Sequence, residues 1–356
     1  MFPRVLLSSG ALKHNLAAVR AFAPRSLVLA VIKANGYGHG IVPVARALET
    51  ADAFGVARLC EGVELRAAGI AHRIVLLEGV FSTEELERAA ALKLDTVVHS
   101  FEQLSMLESW RGSHRFAVWC KVDTGMSRLG FAIDDFTAAW ERLQHCAAVE
   151  PGTRLMTHFA VADEPGNAST AAQIQKFEKL AAGLGAQRSL ANSAGLLQFP
   201  EAQADWVRPG IMLYGVSPIA GKTGADFGLR PAMTLESALI SIRTAEQGQS
   251  VGYGARWSAK APTPIGIVAM GYADGYPRHA RNGTPILVGD REATLVGRVS
   301  MDMISIDLTN APQARVGTHV VLWGEGLPIE RVAAAADTIG YELICKIMPR
   351  VERHWK

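Results

Sequence analysis

A lysine closes the first long apolar run of the chain. In SLVLAVIKANGYGHG (26–40), Lys33 ends the run and is followed by Tyr37, His39 and glycines at 36, 38 and 40. Polar groups recur at the ends of later runs. FAVWCKV (116–122) carries Lys121 and leads into Asp123, Thr124 and Arg128, and RLMTHFA (154–160) carries His158. RSLANS (188–193) ends in Asn192 and Ser193, and VRPGIMLYG (207–215) carries Arg208 and Gly210. A strand-end lysine is usually solvated, but an amine in a dry pocket can condense with an aldehyde. The Ser193 hydroxyl and the open backbone at Gly210 suit a phosphate. Ser193 equally suits a helix N-cap before AGLLQF, and a helix N-terminus can combine the two roles. An amine beside a phosphate cradle matches pyridoxal phosphate, whose aldehyde needs the first and whose phosphate needs the second.

Such groups converge only if the runs that carry them share a sheet. Three further runs, AFGVA (53–57), RIVLLEG (73–79) and DTVVHS (95–100), complete a set of eight with LVLAVIK (27–33) and the four later runs. All are short and apolar, as buried parallel strands are. Amphipathic helical patterns separate most of them: VPVARALE (42–49), CEGVELRAAG (60–69), STEELERAAALK (82–93), FEQLSMLES (101–109) and TAAQIQKFEKLAAGL (170–184). Ser82 and Glu85 fit a capping box. Only a short helix fits in AGLLQFPEA. The alternation predicts a (β/α)8 TIM-type barrel over residues 8–230, with the chemistry at the C-terminal ends of its strands. An open doubly wound sheet is less consistent, since no GxGxxG opens the first helix.

Beyond Pro231 the texture changes to strands joined by tight turns, including LESALISIRTA, TPILVGD and HVVLWGEG, with one helix at IERVAAAADTIG (329–340). The expectation is a C-terminal mainly β domain of residues 231–356 that also takes residues 1–7, whose FPRVLL (2–7) reads as a strand. The 356 residues are 49% hydrophobic and carry 36 basic and 34 acidic side chains, for a net charge of +2. That balance argues against a nucleic-acid or membrane-surface partner. Cys60, Cys120, Cys146 and Cys345 have no metal-ligand spacing, so no metal is expected and the thiols read as free. No signal peptide or membrane span is readable, which points to a soluble cytoplasmic protein.

Eight segments in order resemble the alanine racemase family: AVIKANGYGHG (30–40), KVDTGMSRLGF (121–131), THFAVADE (157–164), ANSAG (191–195), VRPGIMLYG (207–215), VGYGARW (251–257), GYADGY (271–276) and GRVSMDM (297–303). The resemblance implies a barrel joined to a β domain, pyridoxal 5'-phosphate as cofactor, alanine as substrate and a homodimer that shares its active sites. It implies that Lys33 holds the cofactor, that Tyr37, Ser193 and the amides of Gly210 and Ile211 bind its phosphate, and that Arg208 faces the pyridine nitrogen. His158 would lie near the ring and Arg128 near the substrate carboxylate. Tyr253 and the amide of Met301 would come from the partner subunit. Asp163, Tyr272, Arg298 and Asp302 would line the route to the site. In some members the lysine matching Lys121 is carbamylated; the plain alternative is an ion pair with Asp123 or Asp163. Pro349 stands where the family often has a tyrosine.

Racemisation needs two bases on opposite faces of a carbon acid, here Lys33 and Tyr253, and a phenol needs neighbouring help to act as one. An arginine at position 208 cannot take the ring nitrogen's proton, so the ring stays a weaker electron sink and side reactions are limited. A decarboxylase on the same scaffold would place an acid there. A broader racemase of this kind tends to be exported, and a non-catalytic cofactor carrier would lack the β domain that bears Tyr253 and Met301. The product, D-alanine, would supply peptidoglycan synthesis or enter catabolism.

Overall fold

The computed structural model describes residues 3–356, so Phe2 of the expected opening strand lies outside the described residues. The chain divides into two compact units. One holds Leu16–Leu213 and Pro218–Gly221; the other runs to Asn15 and resumes at Tyr214–Ser217 and Lys222–Lys356.

Strand β1 (Arg4–Leu7) opens the chain. Then β2 (Leu27–Val31), β3 (Ala53–Val56), β4 (Ile74–Leu76), β5 (Asp95–Val98), β6 (Val118–Lys121), β7 (Arg154–Met156), β8 (Arg188–Ser189) and β9 (Trp206–Val207) form one parallel sheet. Its order is β8-β7-β6-β5-β4-β3-β2-β9. A parallel bridge between Asn192 and Arg208 brings its two ends together, with the Arg208 N–H donating to the Ala191 carbonyl at 2.9 Å. The eight expected strands are therefore present as a (β/α)8 barrel, although the last run leaves strand geometry after Val207 and continues as a 3-10 turn, Ile211–Tyr214.

Side chains of Leu29, Ala53, Val75, Val97, Trp119, Met156 and Trp206 fill the barrel. The Trp119 and Trp206 rings meet edge to face at 5.3 Å, and the Arg154 guanidinium lies 5.2 Å and 5.8 Å from their centres. Arg154 and Trp206 open their strands, so this stack plugs the N-terminal end of the barrel. Polar chemistry is left to the other end.

Two further helices stand beside the expected ones: Ser9–Phe22 and Phe136–His145. The Ser82 cap forms, accepting from the Glu85 N–H at 3.2 Å, but the Glu85 carboxylate reaches one residue further back, to the Phe81 N–H at 2.8 Å. Asn192, not Ser193, caps the short helix Ser193–Gln198 by accepting from the Gly195 N–H. After β2 the chain makes a left-handed turn. Ala34, Asn35, Gly36 and Tyr37 have φ of 54°, 54°, 61° and 50°. At about 1–2 kcal/mol for each non-glycine residue, Ala34, Asn35 and Tyr37 carry a cost that surrounding bonds must offset.

In the second unit, β10 (Met233–Ala245), β11 (Thr263–Val268), β12 (Pro285–Val288), β13 (Arg291–Val296), β14 (Ile304–Asp307) and β15 (His319–Trp323) pair antiparallel. The 13-residue β10 pairs β15 along its first half and β11 along its second, with a register shift between Leu239 and Ser241, which turns the six strands into a ring. β1 adds antiparallel to β10, and β16 (Glu352–Trp355) adds parallel to β1. The expected terminal helix is two, Ile329–Ala335 and Gly340–Cys345, separated where Asp337 turns left-handed at φ 52°.

Candidate active site

Nine sequence-predicted residues sit at the C-terminal ends of barrel strands. Lys33 and Tyr37 follow β2, Lys121 ends β6 and Arg128 lies in the loop after it. His158 and Asp163 follow β7, Ser193 follows β8, and Arg208 and Gly210 follow β9. Ile211 comes next and is fully buried.

Arg208 is the most constrained of these. Its guanidinium is buried, and Nη1 donates to the Ser189 carbonyl at 2.8 Å and the Ser189 hydroxyl at 2.7 Å. Nη2 donates to the carbonyls of Thr157 and of Leu190, the latter at 3.1 Å. No carboxylate pairs with it among the described residues, and its Nε has no partner there. Burial pushes it down to about 10, so it remains a cation at neutral pH. His158 Nδ1 lies 3.5 Å from Arg208 Nη2. A guanidinium has no acceptor, so Nδ1 must be the bare nitrogen and Nε2 carries the proton. Burial first, then the charges of Arg208, Lys121, Arg128 and Lys33, hold this imidazole neutral.

Lys121 is buried and makes no ion pair with a described residue, which sets aside the Asp123 and Asp163 pairings. Burial, with Arg208, Arg128 and Lys33 nearby, pushes its amine down to about 8, against the pull of Asp123. Asp123 is occupied elsewhere. Its Oδ1 accepts from the N–H groups of Gly125, Met126 and Ser127 at 2.8, 2.9 and 3.1 Å, which folds the loop that presents Arg128.

Ser193, Gly210 and Tyr37 form a cradle. Ser193 Oγ accepts from the Gly210 N–H at 2.8 Å and from the Met212 N–H at 3.4 Å. A Cβ at Gly210 would stand 2.5 Å from the Tyr37 hydroxyl. The buried Tyr37 thus reaches the Gly210 backbone only because that residue has no side chain. This end of the barrel combines an amine, a hydroxyl cradle, an uncommitted Arg208 Nε and an excess of positive charge. The set fits a ligand with an aldehyde, a ring nitrogen and a phosphate.

Tyr253, Tyr272, Arg298, Met301 and Asp302 all belong to the β unit. Tyr253 is 69% and Met301 53% exposed. The loops of Tyr272 and Met301 interlock: the Tyr272 N–H donates to the Ser300 carbonyl and the Ala273 N–H to the Met301 carbonyl, both at 3.0 Å.

Three residues that matter here carried no usable sequence signal. Gln173 donates to Thr124 Oγ1 and to the His158 carbonyl, both at 3.1 Å, and accepts from the Ala160 N–H. Arg350, beside Pro349, bridges Asp274 and Asp302 at 2.6 Å each. Glu61 bonds the backbone of the Lys33 turn.

A parallel barrel with a cationic, phosphate-ready mouth and a separate β unit defines the class of barrel enzymes that work through a pyridoxal-type cofactor. Two family models, the N-terminal and C-terminal domains of alanine racemase, match residues 7–218 and 232–355. A Shewanella baltica alanine racemase is 53% identical over 350 residues, 98% of each chain, and one from Shewanella loihica is 52% identical over the same share. The crystal structure of the biosynthetic alanine racemase from Pseudomonas aeruginosa superposes with a TM-score of 0.97 at 46% identity, covering 100% of both chains. The chain belongs to the alanine racemase family, which depends on pyridoxal phosphate.

The cradle can be tested at its tightest point. Gly210→Ala should lower the affinity of the apoprotein for pyridoxal phosphate by about tenfold or more, about 1.4 kcal/mol, in a fluorescence titration. Adding Tyr37→Phe removes the overlapping hydroxyl, so the double variant should lose little beyond Tyr37→Phe alone.

Proposed function

We propose that this chain interconverts L- and D-alanine with pyridoxal phosphate. The observation that carries the reading is Arg208: a buried guanidinium that no carboxylate neutralises, with Nε uncommitted. When bound, the cofactor withdraws electrons and acidifies the substrate Cα–H. Arg208 would face its ring nitrogen and, as a cation, cannot take a proton there. That keeps the electron sink weak and favours returning a proton to Cα over transamination. An acid at this place would favour the decarboxylase alternative.

Lys33 would hold the cofactor's aldehyde carbon, and its Nζ would move the Cα proton on one face. The phenol of Tyr253 of the partner subunit would act on the other face. The neutral His158, with Nε2 as its donor, would help orient that phenol. Tyr37, Ser193 and the amides of Gly210 and Ile211 would bind the phosphate. Arg128 and the amide of Met301 of the partner subunit would hold the substrate carboxylate. Asp163, Tyr272, Arg298 and Asp302 would line the approach. This reading places the protein in the cytoplasm as a homodimer that supplies D-alanine to peptidoglycan synthesis or takes part in its catabolism. Among the described residues, no helix is long and apolar enough to cross a membrane.

The direct test is loss of optical rotation from L-alanine with added cofactor, run beside a panel of other amino acids; no change with alanine sinks the proposal. The shared site has its own test. Lys33→Ala mixed with Tyr253→Phe should recover activity through hybrid dimers that carry one intact site, and no recovery after demonstrated subunit exchange would count against it.

Lys121 fits a carbamate, formed when its neutral amine adds to CO2 and releases a proton. An amine brought down to about 8 is protonated below that pH and neutral above it. At fixed dissolved CO2, the carbamate signal from 13C-labelled bicarbonate should therefore rise as pH climbs through about 8. It should be missing in Lys121→Arg.

A further inference from the structure

Glu61 lies in the helix Leu59–Ala67, on the connection after β3. One carboxylate oxygen, Oε1, accepts from the Ala34 N–H at 2.6 Å. The other, Oε2, accepts from the Ala57 N–H at 2.8 Å and the Arg58 N–H at 3.1 Å. Ala34 follows Lys33 directly and is the first left-handed residue of the turn. Glu61 therefore staples that turn to the neighbouring strand-to-helix connection, with one oxygen on each side.

Several further bonds lie inside the turn itself. They run from the Gly36 N–H to the Ile32 carbonyl at 2.9 Å, from the Gly38 N–H to the Ala34 carbonyl at 3.0 Å, and from the Ile41 N–H to Asn35 Oδ1 at 2.9 Å. These fix the turn's shape. They do not fix where it sits at the barrel mouth. Bonds that leave the turn do: the Ile32 N–H donates to the Gly55 carbonyl at 2.9 Å just before it, and the Glu61 side chain bonds both connections at once.

The position matters because the turn carries a functional group at each end. Lys33 starts it, and Tyr37 ends it with a hydroxyl at the Gly210 cradle. One rigid ligand that engages both ends requires a fixed spacing between them and the rest of the mouth. We infer that Glu61 is a positioning residue that sets the left-handed turn so that Lys33 and Tyr37 grip the two ends of one cofactor molecule together. This rests on the reading of Lys33 and Tyr37 as aldehyde and phosphate contacts. Two ends held at once bind more tightly than either alone. Loss of the staple should cost the coupling between them.

The test uses the full-length apoprotein and two ligands, pyridoxal phosphate and pyridoxine phosphate, which lacks the aldehyde. In wild type the first should bind more tightly. In Glu61→Ala the ratio of the two affinities should shrink by roughly tenfold, as expected for a lost bond to a charged group. Backbone hydrogen exchange over 33–41 should quicken, with 116–122 unchanged as a control for the fold. Glu61→Gln, with one acceptor oxygen, should fall between wild type and Glu61→Ala. Glu61→Asp keeps the charge but is one methylene shorter, and should behave like Glu61→Ala. An unchanged ratio and unchanged exchange over 33–41 in Glu61→Ala overturn the inference. Full retention by Glu61→Asp does so too, since charge and not reach would then be what counts. A wild type that binds neither ligand indicts the cofactor reading, and the exchange comparison still decides the role of Glu61.

Discussion

The organising constraint is a guanidinium buried without a counter-charge. Desolvating an unpaired charge is costly unless its hydrogen bonds are met. Arg208 meets them with the ends of two neighbouring strands: carbonyls of Thr157, Ser189 and Leu190, and the Ser189 hydroxyl. The same residue forms the bridge to Asn192 that closes the barrel. Closure of the fold and the charge of the site are thus one fact. A carboxylate at this point would satisfy the guanidinium more cheaply, but it would also cancel the field that the rest of the mouth depends on.

That field explains the states of the neighbours. His158 is kept neutral and in one tautomer because its Nδ1 faces a group that can only donate. Lys121 loses proton affinity because it is buried among cations. Asp123, the nearby carboxylate that opposes this, has its Oδ1 engaged with three loop amides. The result is a mouth with surplus positive charge and few internal anions. Phosphate, carboxylate and carbamate groups all answer the same need.

The barrel strands were legible because parallel strands buried on both faces read as short apolar runs, and their ends announced Lys33, Lys121, His158, Ser193 and Arg208. Gly210 was legible as open backbone, and the structure shows what that opening admits. The left-handed turn was not legible. Glycines 36, 38 and 40 suggested a turn, but Ala34, Asn35 and Tyr37 adopt its conformation against their own preference, and tertiary bonds hold them there. Glu61, Gln173 and Arg350 were hidden for a related reason. Each acts by bonding segments distant in sequence, and a helical glutamate or glutamine has no local mark of the backbone it will reach. The strand Glu352–Trp355 was missed because ERHW has none of the apolar alternation of a half-buried strand.

On the proposed reading, the exposed side chains of the β unit would meet a second chain. Tyr253 projects from between Gly252 and Gly254, at φ of 77° and 74°, and is 69% exposed. Met301, Met303 and Met348 are also open, at 53%, 45% and 46%. Large apolar side chains left this open are what a partner surface would cover. Their loops are not loose. Gly271 packs so closely on the Met301 carbonyl that a Cβ there would lie 2.1 Å from it, and Arg350 ties Asp274 to Asp302. Tyr272, Met301 and Asp302 are therefore presented on one locked assembly. Excluding water from a carbon acid limits exchange of its proton and side reactions, and a phenol left in solvent does not give that protection. On the proposed reading, another chain's barrel mouth would cover the exposed Tyr253 and Met301 and keep solvent from the phenol.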